Sequence, residues 1–236
     1  MRASRPIHVR ISLQALCQVD DTVVRLLRQN DCGSLARVSL AAVMVGSALF
    51  GFAFGIWRAP EQALYAAIKM PAMILALVGV SSLINIMLAY VLGSRLSAIQ
   101  TTTCVLLSLA ITSVILAALS PVTLFFALQC PAPTEPGSMT AYRCLLTGNT
   151  CVVAFAGIAG NVRLYRLLCD VTAARAMALR VLLSWIFVTG LAGTELSWLF
   201  SPFLSRPDLP IHFFNDIAFQ SNFFEYLWHA VMGSLT

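Results

Sequence analysis

Met177 to Phe203 reads MALRVLLSWIFVTGLAGTELSWLFSPF, and the reading of this stretch decides the fold. A helix of about 20 apolar residues crosses the hydrocarbon core of a bilayer. This run is longer than that, holds one acid (Glu195), and closes on Ser201-Pro202-Phe203. Working outward from it, four more apolar runs of comparable character appear. The expected spans are 39–57, 70–92, 102–128, 144–161 and 179–203. The fold class expected is therefore all-α: a polytopic membrane bundle of five transmembrane helices, with interfacial amphipathic helices at both ends.

Composition agrees with a membrane protein. Of 236 residues, 59% are hydrophobic and 11% charged, and mean hydropathy is +0.84. Soluble domains hold about 25% charged residues, so a water-soluble fold is excluded in practice. The net charge is +5, and Lys69 is the only lysine. The arginines flank the apolar runs, which makes them topology signals; no nucleic-acid partner is expected. With the N-terminus inside, eleven of the fifteen bases fall on the inner side and four on the outer. The positive-inside rule then selects N-in, C-out, and the expected location is a bacterial inner membrane.

Residues 1–38 form an arginine-rich N-terminal segment in which Leu16, Val19, Val23, Leu26 and Leu27 follow helical spacing. This predicts an amphipathic helix that either lies on the inner headgroup layer or packs on the inner ends of the spans. The first apolar run reads as an uncleaved anchor. Residues 205–236 form an outer aromatic tail with Phe213, Phe214, Phe219, Phe223, Phe224, Tyr226 and Trp228. His212, His229, Asp216 and Glu225 in that tail match no metal spacing, and no cofactor is expected.

Small residues mark packing faces. Ser47, Gly51 and Gly55 recur every fourth residue in the first span, and Gly193, Ser197 and Ser201 do so in the fifth. Such faces let helix backbones approach closely. Gly157-Ile158-Ala159-Gly160 reads as packing, since no phosphate-loop lysine follows it. Pro71 and Pro121 should kink or bend their helices. The spans 144–161 and 179–203 should be joined by an arginine-rich loop.

Four polar residues within the spans are candidates for chemistry: Glu195, Lys69, Asn85 and Thr194. An intramembrane acid costs about 2.5–3.5 kcal/mol on insertion scales and must face helices or a wet cavity. Lys69 enters the second span from the same side as Glu195, so an ion pair is possible, with Thr194 and Asn85 as hydrogen-bond partners. The pair would be either an ion-linked site or a polar clamp between two spans. Cys130 and Cys144 bracket the Pro-rich 129–143 loop and are a candidate disulfide; closing such a loop is worth roughly 3 kcal/mol on the chain-entropy model. There is no GxSxG, HExxH or paired-acid motif, so no catalytic residue is assigned.

Two stretches carry a resemblance. QALYAAIKMPAMILAL at 62–77 and ELSWLFSPFLSRPDLPIHFF at 195–214 resemble a family of bacterial multi-spanning proteins. In these, a QALYxAIKxP entry to one span is followed much later by GWxxRPFxGxPxxPVQFF. The resemblance covers roughly 50–230 and brings no activity with it. Glu195 and Ser201 depart from its pattern, which expects an uncharged residue and an arginine. The layout is also that of five-span membrane-shaping and trafficking proteins, by analogy alone.

The expected function is non-enzymatic: a structural or accessory subunit of a membrane complex, partnered by the bilayer and by other membrane subunits or itself. The alternative is a small transporter or channel subunit using Glu195 and Lys69, and a lipid-modifying enzyme ranks third.

Overall fold

The computed structural model describes residues 21–28, 32–94, 96–172, 174–214 and 222–225. The expected N-terminal helix before Asp21, and most of the aromatic tail including Phe219, Tyr226, Trp228, Asp216 and His229, lie outside the described residues. The described chain is all-helical: α1 (Asp21–Arg28), α2 (Gly33–Gly55), α3 (Pro60–Val91), α4 (Ala98–Gln129), α5 (Ser138–Val171) and α6 (Arg175–Leu199). The last five are each long and apolar enough to cross a membrane. The protein is an integral membrane helical bundle.

The helices run antiparallel in sequence, so the bundle has two ends. One end carries α1 and the short turns before α4 and α6; we call it the basic end. The other carries the α2–α3 and α4–α5 connections and residues 200–214; we call it the strap end. In the bundle α2 packs against both α3 and α4, α5 packs on α4, and α6 attaches chiefly to α3. Contacts between α5 and α6 are sparse by comparison.

Glycines set the closest approaches. A Cβ at Gly51 would sit 2.8 Å from the Ala66 carbonyl carbon, and one at Gly55 2.8 Å from the Ala63 Cα. Both close the α2–α3 seam. Gly46 does the same against Ser113 of α4, and Gly160 of α5 against Ser108 and Thr112. Ser47 is buried, its hydroxyl returned to the Val43 carbonyl at 2.5 Å. The small-residue face of the first span is thus spent inside the bundle.

Four of the five spanning helices are longer than the expected spans, whereas α6 starts earlier and ends at Leu199, short of the expected 203. α5 starts at Ser138 and runs to Val171, so the arginine-rich loop shrinks to a turn around Thr172. The reason is helical spacing: Leu164, Leu167 and Leu168 are buried in the main core cluster, while Arg166 stays exposed between them. Pro71 and Pro121 lie within continuous helices. α4 begins with a capping box, in which Ser97 and Gln100 exchange side-chain and backbone bonds. Gln100 Nε2 also donates to the Leu27 carbonyl at 2.7 Å. Val23, Leu26 and Leu27 are buried, with Val23 and Leu27 in the core cluster of the basic end. Of the two placements open for the N-terminal helix, the described part takes the packed one.

Candidate functional site

After Leu199 the chain leaves the helix, and residues 201–214 carry no regular secondary structure. Backbone carbonyls in such a stretch need donors when they are withdrawn from water. The entry turns of α3 supply them. Gln62 Nε2 donates to the Pro202 and Phe203 carbonyls at 3.1 and 2.9 Å. Its Oε1 accepts from Ser205 Oγ at 2.9 Å. Lys69 Nζ donates to the same Pro202 carbonyl at 3.0 Å. Further out, Arg58 Nη2 donates to the carbonyls of Pro207 and Leu209 at 3.4 and 3.1 Å. Gln62 and Lys69 are both 0% exposed.

Aromatic rings complete the clamp. The Lys69 ammonium lies 4.9 Å from the Phe213 ring centroid and 5.5 Å from that of Phe214. Tyr65 meets Phe213 edge-on at 5.1 Å. A cation over an aromatic face is worth about 2 kcal/mol when desolvated. Gln62 and Lys69 stand seven residues apart, two turns on one helix face. The stretches 62–77 and 195–214 are therefore in direct contact.

Lys69 and Glu195 do not pair. Glu195 is half-buried, and its Oε2 accepts from the Phe223 backbone N–H at 3.2 Å. Thr194 returns its hydroxyl to the Gly190 carbonyl of its own helix at 2.8 Å. Asn85 is 0% exposed, and neither of its side-chain polar atoms has a partner among the described residues. It sits sixteen residues further along α3 than Lys69, roughly 24 Å by helical rise, so it serves neither charge. The four intramembrane polar residues thus form no common constellation.

Cys130 and Cys144, the candidate disulfide, are free thiols. Cys130 caps the end of α4, whereas Cys144 lies well inside α5 on its exposed face. Burial, and secondarily the nearby Cys144 sulfur, push the Cys130 thiol above its usual range. Arg206 and Asp208 form a bidentate pair at 3.0 and 2.7 Å. The hydrogen bond from Arg206 holds the Asp208 carboxyl below the usual carboxylate range.

Where α5 and α6 part at the strap end, they leave a groove of about 970 Å³. Its walls run along 142–153 of α5 and 189–198 of α6, with Ser201 just beyond that helix. Phe54 of α2, Met70 of α3, residues between 202 and 212, and Phe223 also line it. Gly193, Thr194, Ser197 and Ser201 all line it. A Cβ at Gly193 would meet Leu77 at an ordinary 3.7 Å, and one at Gly190 would meet nothing. The small-residue face of the fifth span is thus left open along the groove.

Reasoning from sequence missed Gln62 and Arg58. The seven-residue step from Gln62 to Lys69 was the available signal. The groove has no sequence signal, because it arises from the divergence of two helices. No known protein family, curated protein or solved structure matches the chain.

Proposed function

We propose that this is a non-enzymatic membrane protein acting as a structural or accessory subunit, with its basic end on the cytoplasmic side of a bacterial inner membrane. One observation carries the reading. The polar groups best placed for chemistry at the strap end are committed to holding backbone: Gln62 and Lys69 together serve the carbonyls of Pro202 and Phe203. A buried ammonium spent in this way is a fastening, and it is not available to carry an ion. The transport reading asks Glu195 and Lys69 to share a site, and each is bonded to a different segment.

The outward faces of α5 and α6 support an accessory role. Phe155 and Ile158 on α5 and Leu183 and Phe187 on α6 are exposed, and would face lipid or neighbouring subunits. Native purification in mild detergent, followed by mass spectrometry of co-migrating chains, tests the proposal. A fixed stoichiometric partner is the expected result. A chain that migrates alone, together with flux that Glu195→Gln abolishes, would replace this reading with transport.

A further inference from the structure

We propose that the basic end is a docking face for anionic phospholipid headgroups, held by exposed arginines of α1, α2, α5 and α6. The inference goes beyond the accessory role. It depends neither on a protein partner nor on which side of the membrane this end lies.

Charge comes first. The segments that lead into and join the helices at the basic end are 1–38, 93–101 and 161–180. They hold eleven arginines against four acids, Asp20, Asp21, Asp31 and Asp170, a balance of +7. The rest of the chain holds four bases and six acids, a balance of −2, and the two sum to the net +5. Topology is selected by lysine and arginine, and acids contribute little to it. The scarcity of acids at this end is therefore left unexplained by topology. So is the choice of base. Lysine serves a topology signal as well as arginine does, yet all eleven bases are arginine. The planar guanidinium fork meets a phosphate with two parallel hydrogen bonds, whereas lysine meets it as a point charge.

Placement comes second. Arg25 of α1, Arg37 of α2, Arg166 of α5, and Arg175 and Arg180 of α6 are exposed. Arg37 follows the start of α2 by four residues, Arg180 follows that of α6 by five, and Arg166 precedes the end of α5 by five. At 1.5 Å per residue, all three stand about 6–8 Å inside the basic end. Three helices thus present an arginine at one level. α5 has 34 residues, which makes it about 51 Å long. A bilayer offers about 30 Å of hydrocarbon, or about 40–45 Å with its headgroups. The end of α5 therefore stands among headgroups, where lipid phosphates lie. Asp21 and Asp170, the acids of the described helices at this end, can neutralise two of the five exposed arginines and leave three.

α1 decides the mode of attachment. Val23, Leu26 and Leu27 are buried in the bundle, while Arg25 faces outward. The described part of α1 thus offers the membrane charge and no apolar wedge. The attraction is electrostatic and sensitive to salt.

The test uses the full chain reconstituted in phosphatidylcholine vesicles carrying a trace of spin-labelled lipid, either phosphatidylglycerol or phosphatidylcholine. The motionally restricted part of the spin-label spectrum measures association with the protein. At low salt, phosphatidylglycerol should associate about fivefold more strongly, the factor that about 1 kcal/mol gives. The ratio should approach unity in about 1 M salt, where the screening length is about 3 Å. Arg166→Gln, Arg175→Gln and Arg180→Gln combined should cut the ratio at least by half. Arg143→Gln, at an exposed arginine of the strap end, should leave it unchanged. If the triple variant does not insert, Arg25→Gln with Arg37→Gln takes its place on two other helices. Equal association of the two lipids overturns the proposal. So does a ratio that the basic-end substitutions leave unmoved, or that Arg143→Gln lowers equally. Protein partners are read separately, so either proposal can fail without the other.

Discussion

The Lys69 ammonium donates to the Pro202 carbonyl at 3.0 Å across 133 residues of chain. Pro202 O also accepts from Gln62, so two donors on one face of α3 fasten the end of α6. The arrangement explains how the only lysine of the chain comes to be fully buried among membrane helices. It satisfies backbone that membrane burial would otherwise leave bare.

Lys69→Met should loosen that fastening. Hydrogen bonds to charged groups contribute about 1.5–3 kcal/mol, and the contact with Phe213 is lost as well. Thermal unfolding in detergent should show the drop, and limited proteolysis should cut earlier within 201–214. Unchanged stability and proteolysis would mean that the clamp carries no weight.

Asn85 should respond in the opposite direction. Its amide is buried without partners among the described residues, and a buried unsatisfied polar group costs about 1–3 kcal/mol. Asn85→Leu should therefore raise the unfolding temperature. A fall would show that the amide is hydrated or bonded in the membrane-embedded protein.

The glycines should separate into two classes. Gly51→Val places side-chain atoms against the Ala66 backbone, and overpacking of this kind costs about 1–3 kcal/mol. Gly193→Ala meets only the end of Leu77 at 3.7 Å and should be neutral or stabilising by about 0.5–1 kcal/mol. Equal effects from the two would contradict the described α2–α3 seam.

Cys130 reports both orientation and acidity. Its thiol is raised by burial and then by Cys144, so at neutral pH less of it is thiolate than in a free cysteine. Labelling by a membrane-impermeant maleimide should be slow at pH 7. It should accelerate as pH rises through and beyond the ordinary thiol range near 8.5. It should occur only from the non-cytoplasmic face. Labelling confined to the cytoplasmic face would reverse the proposed topology.

Most of the fold is legible in the residues themselves. Five apolar runs, the shortest of them 144–161, specify the five spans, and Gly51 and Gly55 mark the seam between the first two. The extension of α5 is harder to see, because Arg163 and Arg166 lower the local hydropathy while Leu164, Leu167 and Leu168 keep the helical spacing. The strap is harder still. Gln62 and Lys69 bond to backbone carbonyls, which every residue has, so no complementary side chain advertises the contact. Glu195 is costly in lipid, yet its partner is also backbone, the N–H of Phe223. Charge identifies where a helix needs a partner; it does not identify the partner.

The packing of α1 on α5 has a consequence for biosynthesis. α1 docks at the basic end beside helices encoded far downstream, with Gln100 bonded to Leu27 from 73 residues away and the Leu164–Leu168 region later still. Chains emerge at roughly 5–20 residues per second, so α1 waits on the order of ten seconds before its receptor surface exists. During that interval its buried face, Val23, Leu26 and Leu27, has only the membrane surface or an insertion factor to shelter it. The bundle is then the final address of a helix whose apolar face must first be sheltered elsewhere.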